Sequence, residues 1–170
     1  MLALASSLSW GPAATAAAVL EIMPARGLAE HEALRCYCSL LLGRHYGVPA
    51  EMLWAVAAAE GGREGLVQAN ANRSYDIGVM QLNTVYLGEI AVSPAAVAGF
   101  DCRGFAVAAR RLTGHLFRPR QGAVWRRLAD YHSRTPEHNR RYARRLQQQA
   151  RAYACPSRRS VRMVSEQAAE

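Results

Sequence analysis

Glu60 is the residue whose type and place most suggest chemistry. It closes a run in which Leu53, Val56 and Ala57 recur at helical spacing, and it continues that stripe at i+7 from Leu53. A helix here aims the carboxyl along its inward face. It also sets it in the last turn, where the negative end of the helix dipole disfavours a carboxylate. Burial and dipole push the same way, towards a raised pKa of roughly 6, which suits a group that gives and takes a proton near neutral pH. Gly61-Gly62 lets the chain turn sharply and leaves the carboxyl uncovered for a ligand. The plainer alternative is that Glu60 caps backbone groups at a helix end.

The segment Asn70 to Asn83 adds amides and hydroxyls: Asn70, Asn72, Ser74, Tyr75, Gln81 and Asn83. Amide side chains offer both donors and an acceptor, so they read sugar hydroxyl and acetamido groups well. They are also ordinary turn formers. Asp76 is a possible second carboxylate for direct hydrolysis, although its place before Gly78 reads better as a turn former. His31, His45, His115, His132 and His138 show no H-E-x-x-H-like pairing, which argues against zinc chemistry.

Helices must position these groups. Leu34, Cys38, Leu41 and Leu42 share a stripe on a helix expected over residues 28–45. Pro49 suits the first position of a second helix, with Glu51 in its first turn and Gly61-Gly62 as its stop. Residues 63–79 lack a helical period and read as loop or short irregular strand. Three further helices are expected: one lined by Phe105, Ala109, Leu112 and Leu116, and one by Val124, Leu128 and Tyr131. The third carries Tyr142, Leu146, Gln149 and Tyr153, and starts at Thr135-Pro136-Glu137. The expected architecture is a mainly α, single helical domain over residues 30–154, with an irregular short-strand segment beside a cleft. Residues 1–29 read as leader and linker, and residues 155–170 as a polar, mobile tail.

With 170 residues, 51% hydrophobic and 20% charged, the chain has the make-up of an ordinary globular domain; wholesale disorder and a polytopic membrane protein are excluded. Its charge is uneven. Residues 1–102 hold five Arg against nine acids, and residues 103–163 sixteen Arg against Asp130 and Glu137. There is no lysine, so every Lys/Arg cation is a guanidinium. This pattern fits base composition, or a basic face towards nucleic acid, a membrane surface or an acidic wall polymer. Arg110-Arg111, Arg126-Arg127, Arg140-Arg141 and Arg144-Arg145 punctuate amphipathic helices as solvated outer faces do, and no nucleic-acid motif surrounds them. Met1 to Ala18 resembles part of a secretory signal without its basic start. Cys36, Cys38, Cys102 and Cys155 allow three pairings, and neighbours two apart on a helix need different partners.

Taken together, Tyr46-Gly47-Val48-Pro49, Leu53 to Glu60, Ser74 to Asn83 and Ala129-Asp130-Tyr131-His132-Ser133 resemble the lytic transglycosylases, lysozyme-like enzymes of peptidoglycan. The likeness covers about residues 36–145 and is strongest to small members serving secretion, conjugation and pilus machines. It implies a lysozyme-like α+β fold and Glu60 as sole acid and then base. Met80 and Gln81 would line the sugar site, Asn83 would support that loop, Tyr131 would hydrogen-bond near Glu60, and Tyr75 would join the substrate-binding set. It implies no metal or nucleotide cofactor. The expected partners are glycan strands and an envelope-spanning machine; the chain is expected to be monomeric, and nucleic acid is not expected. Three departures stand out. Gly61 replaces the usual Ser, Leu82 replaces Ile, and His132-Ser133-Arg134 follow Tyr131 where Asn and Gly are common.

The resemblance also implies a Cys38–Cys102 bridge and an oxidising compartment, the periplasm. Pairing of Cys36 with Cys155 stays open. Two other functions compete: hydrolysis by water in the manner of a muramidase or chitinase, and a non-enzymatic, Arg-rich nucleic-acid module. A wall-docking scaffold without turnover is a third.

Overall fold

The computed structural model describes residues 30–99, 101–117, 122–153 and 155. The leader, and the tail beyond residue 155, lie outside the described residues. Helices dominate, with one small antiparallel sheet, so the fold is α+β with a mostly helical body.

Helix α1 (Glu30–Tyr46) leads through Gly47 and Pro49 to α2 (Ala50–Glu60). Pro49 stands just outside α2, at its N-cap, instead of at the first helical position. Leu53, Trp54, Ala55, Val56, Ala57 and Ala59 are all buried, so α2 is enclosed around most of its girth and not along one stripe. It packs against α1 and against α7 (Pro136–Arg151), the last helix. The small alanines permit this enclosure, because neighbouring helices can approach closely on every side. Gly61 ends α2 in the left-handed region at φ 66°, returning its N–H to the Ala57 carbonyl at 3.2 Å. A Cβ on Gly62 would stand 2.2 Å from the Gly78 carbonyl oxygen, so only glycine lets the sheet segment close over the end of α2.

That segment is the expected irregular stretch, and it holds β1 (Val67–Ala69), β2 (Tyr75–Ile77) and β3 (Leu82–Asn83) in sequential antiparallel order. Register sets Gln68 opposite Asp76, and Asp76 opposite Asn83. Alternation then divides the sheet. Ile77 and Leu82 enter the core, while Gln68, Asp76 and Asn83 face the other way.

Two short helices follow that the pattern of residues 84–98 did not signal: α3 (Thr84–Glu89) and α4 (Pro94–Ala98). Each is about one turn long and is set by its cap, Asn83 for α3 and Ser93 for α4, more than by apolar period. Next come α5 (Arg103–Leu116) and α6 (Val124–Leu128), then a 3₁₀ turn (Ala129–Tyr131). The expected helix through Tyr131 thus changes to 3₁₀ after Leu128, and α7 ends before Tyr153. Asn139 on α7 explains the tight turn. Its amide donates to the carbonyls of Arg126 and Ser133 and to Asp130 Oδ1, at 2.9–3.1 Å, pinning the 3₁₀ segment to the last helix.

Two disulfides tie the helices together. Cys38–Cys102 joins α1 to the start of α5, as the resemblance implied. Cys36–Cys155 joins α1 to the chain beyond α7, which carries the fold one residue past its expected edge. Around the second bridge Ala33, Trp54 and Tyr153 form a separate apolar cluster, and Trp54 Nε1 donates to Glu32 at 3.0 Å.

Candidate functional site

Glu60 reaches the floor of an open trough of about 650 Å³ walled by the sheet, α3, α5 and the 3₁₀ turn. A second hollow of about 430 Å³ shares Glu60, Asn70, Asp76, Gln81 and His132 with the first, and extends towards α7. A third of about 640 Å³ shares Tyr86, Glu89, Arg111 and His132, and continues past α5. The three form one groove, and Glu60 lies where the first two meet. This is the shape for an extended chain molecule, not for a small enclosed ligand.

Burial raises the Glu60 pKa to about 7, against an ordinary 4.5. The hydroxyl of Tyr142, on α7, donates to Glu60 Oε1 and works against that rise; Asp76 adds to it, and Arg145 and Arg111 reduce it. The resulting group is divided between acid and base near neutrality, the condition for alternating between the two roles. The expected value of roughly 6 had the right direction and, in burial, one of its two expected causes.

The other singled-out residues divide. Gln81 lines the groove as expected. It holds φ at 45° and donates from Nε2 to the Gly78 carbonyl at 2.8 Å, which fixes the loop against the trough. Asn83 is the support expected of it: Nδ2 donates to Ser74 Oγ at 2.9 Å and Asp76 Oδ1 at 2.8 Å, while Oδ1 accepts from the Val85 N–H. Tyr131 lies in the wall near Glu60, but its hydroxyl donates to the Met80 carbonyl at 2.8 Å. Met80 itself does not line the groove. Its side chain is 1% exposed in the core, because the buried turn before β3 points it inward; its contribution is the carbonyl that anchors Tyr131. Tyr75 also departs from expectation. It alternates with Ser74 and Asp76 along the strand, so its ring stands on the opposite face, 46% exposed and outside the trough.

Asp76 departs from expectation too. It is not a turn former but a strand residue facing the groove, with its carboxylate held by Asn83. The turn belongs to Asn70–Ser74. There Asn72 Oδ1 accepts from both the N–H and the hydroxyl of Ser74, and Arg73 takes φ 65°. Glu60 and Asp76 both line the trough and the hollow beyond it.

Three contributors escaped the sequence. Tyr142 read as one more apolar stripe position, yet it supplies the direct hydrogen bond to Glu60. His132 stacks on the Tyr142 ring with centroids 4.7 Å apart, and burial, with His138 and Arg145 nearby, lowers its pKa. Arg111, expected on a solvated face, turns inward. Its guanidinium lies 4.6 Å from the Tyr86 ring centre and 4.9 Å from that of Tyr131, a cation–π arrangement that stiffens the wall. On a helical wheel Arg110 and Arg111 lie on opposite flanks of α5, both well away from the centre of its apolar face, so the sequence carried no signal that separated them. Among the described residues, no three His, Cys, Asp or Glu side chains converge as a metal-ligand set, and no helix is long and apolar enough to cross a membrane.

No protein-family model and no curated protein matches the chain, so the chemistry of this site rests on its residues and their geometry.

Proposed function

We propose that this protein is a peptidoglycan lytic transglycosylase with a lysozyme-like fold. The observation that carries the proposal is Glu60, a largely buried carboxyl whose pKa is raised to about 7, lining an amide-rich groove. The residue pattern Ser74 to Asn83, set after a helix-terminal Glu, supports the same reading.

In this mechanism the protonated Glu60 gives its proton to the glycosidic oxygen that follows N-acetylmuramic acid, and the bond to the anomeric carbon breaks. The resulting carboxylate then takes the proton of the muramoyl 6-hydroxyl. That oxygen attacks the anomeric carbon and closes a 1,6-anhydro ring, returning Glu60 to its acid form. One carboxyl suffices because the internal hydroxyl replaces the water that a glycosidase pair would activate. Tyr142 orients the carboxyl and moderates its pKa; Tyr131, through Met80, and Gln81, through Gly78, hold the wall and loop around the sugar. Two disulfides suit folding in an oxidising compartment, and the proposed setting is the periplasm, opening the wall locally for an envelope-spanning machine.

A second reading, hydrolysis by water, is favoured by one observation: Asp76 lines the same trough as Glu60. Mass spectrometry of fragments released from purified sacculi separates the two, since an anhydro end is lighter than a reducing end by one water. Anhydro products from the parent protein, with Glu60→Gln lowering their release by about 10³-fold or more while the fold persists, are the expected result. Release by Glu60→Gln at the parent's rate would refute the mechanism, and reducing ends that vanish in Asp76→Asn would establish hydrolysis.

A further inference from the structure

Among the described residues, His132 alone borders all three hollows of the groove: the trough, the hollow towards α7 and the hollow past α5. A chain molecule laid along the groove therefore has to pass it. Its ring is held there in two ways. Asn139 pins the chain before and after it, donating to Asp130 Oδ1 at 2.9 Å and to the Ser133 carbonyl at 3.1 Å. The imidazole also lies against the buried ring of Tyr142, 12° from parallel with centroids 4.7 Å apart. One ring face is thus taken by Tyr142, while the residue stays exposed to the groove. Neither ring nitrogen makes a hydrogen bond within the protein among the described residues. Partial burial lowers the His132 pKa, and His138 and Arg145 act the same way against a smaller opposite pull from Asp76. The ring is therefore mostly neutral near pH 7, where Glu60 is half protonated.

We propose that His132 is a substrate-binding residue, whose ring edge hydrogen-bonds an uncharged hydroxyl or acetamido group of the sugar lying beside Glu60. The inference rests on the functional reading above and adds a contact at a position where this chain departs from the lytic transglycosylases. A neutral imidazole carries one N–H donor and one bare nitrogen acceptor. That pair matches an uncharged group that both donates and accepts, as a sugar hydroxyl and an acetamido amide do. Glu60 and His132 both line the trough and the hollow towards α7, so the sugar read by one adjoins the bond broken by the other. Tyr142 joins the two, with its hydroxyl on Glu60 and its ring against His132. The stack fixes where the imidazole edge points before substrate arrives, so little ordering is lost on binding.

The test uses the full chain. His132→Phe keeps a flat ring to stack on Tyr142 and removes both nitrogens. On purified sacculi it should raise KM about three- to tenfold, the usual worth of one uncharged hydrogen bond, with the loss absent from kcat and from the pH profile. A merely structural role would move kcat and the pH profile instead, because His132 would then act through Tyr142. A second measurement keeps His132 in place. In Glu60→Gln, expected to hold glycan without cleaving it, nitrogen-15 NMR follows the His132 ring as glycan strands solubilised from sacculi by a muramidase are added. The ring nitrogens should shift as binding saturates, and His132→Phe in the same background assigns their signals. A KM for His132→Phe equal to the parent's, or ring nitrogens unmoved at saturation, would overturn this inference and leave the functional reading standing. A loss confined to kcat, with a displaced pH profile, would overturn it too and reassign His132 to holding Tyr142. Sacculi left intact by the parent protein would overturn the functional reading itself.

Discussion

At the scale of single residues, the behaviour of Glu60 is a contest between burial and one hydrogen bond. Burial favours the neutral acid, and the Tyr142 hydroxyl, donating to Oε1, favours the carboxylate. Burial wins, leaving the folded-state pKa at about 7, above the ordinary 4.5. The sign of the linkage follows. A carboxyl whose pKa is raised by folding binds more protons in the native state, so stability falls as pH rises through the interval between the two values. Replacing it with the neutral Glu60→Gln should therefore leave the gap between variant and parent unchanged below about pH 4.5. It should then shift in the variant's favour by about 3 kcal/mol up to pH 7 and level off above. Tyr142→Phe removes the donor that favours the charged form and should move the upper edge of that window higher. Urea unfolding of the three proteins across pH 4 to 9 reads both effects, and a pH-independent gap would show that Glu60 is not buried as described.

At the scale of elements, α1 is the spine to which the rest is stapled. Its Cys36 and Cys38 point to different sides, one bonded to Cys155 beyond α7 and the other to Cys102 at the head of α5. These close chain segments of 119 and 64 residues, worth about 5 and about 4 kcal/mol in the chain-entropy model. Because α7 carries Tyr142 and α5 carries Arg111, each bridge holds one wall of the groove relative to α2. The Cys36→Ala, Cys155→Ala pair should lose about 2–4 kcal/mol in urea unfolding. An unchanged midpoint would mean that the Trp54–Tyr153 cluster holds the end of α7 without the bond. The Asn139 amide has a comparable positional role without a covalent link, since one side chain donates to an acceptor in the turn that presents Tyr131 and to one on each side of it.

At the scale of the whole molecule, the groove carries charge of both signs: Glu60, Asp76, Glu89 and Arg111 line the trough, Arg141 and Arg145 the hollow towards α7, and Arg110, Arg134 and Asp130 the hollow past α5. The expected monomer predicts that specific activity on sacculi is independent of protein concentration. Dilution over two decades, followed by release of soluble fragments, checks this, and a steep fall on dilution would point to a second copy in the site. The net charge of +8 acquires meaning only at this scale. Some arginines, such as Arg140 and Arg144, are exposed on outer faces, whereas Arg110, Arg134 and Arg145 border the groove.

What the sequence determined by itself is whatever depends on local spacing. Leu53, Val56 and Ala57 at helical intervals declared α2 and the inward aim of Glu60, Gly61-Gly62 declared its end, and the paired cysteines on one helix declared two separate partners. The tertiary structure decided what depends on elements far apart in the chain. Tyr142, 82 residues from Glu60, is an apolar stripe position until α7 lies against α2. Met80 and Tyr75 sit in a promising motif, but strand alternation and the buried turn send one ring to the far face and one thioether into the core. Asp76 became a groove carboxylate because its register beside Asn83 turned it away from the core. The physical reason is the same each time: helical and strand periods fix which way a side chain leaves its own element, and only packing fixes what it meets there.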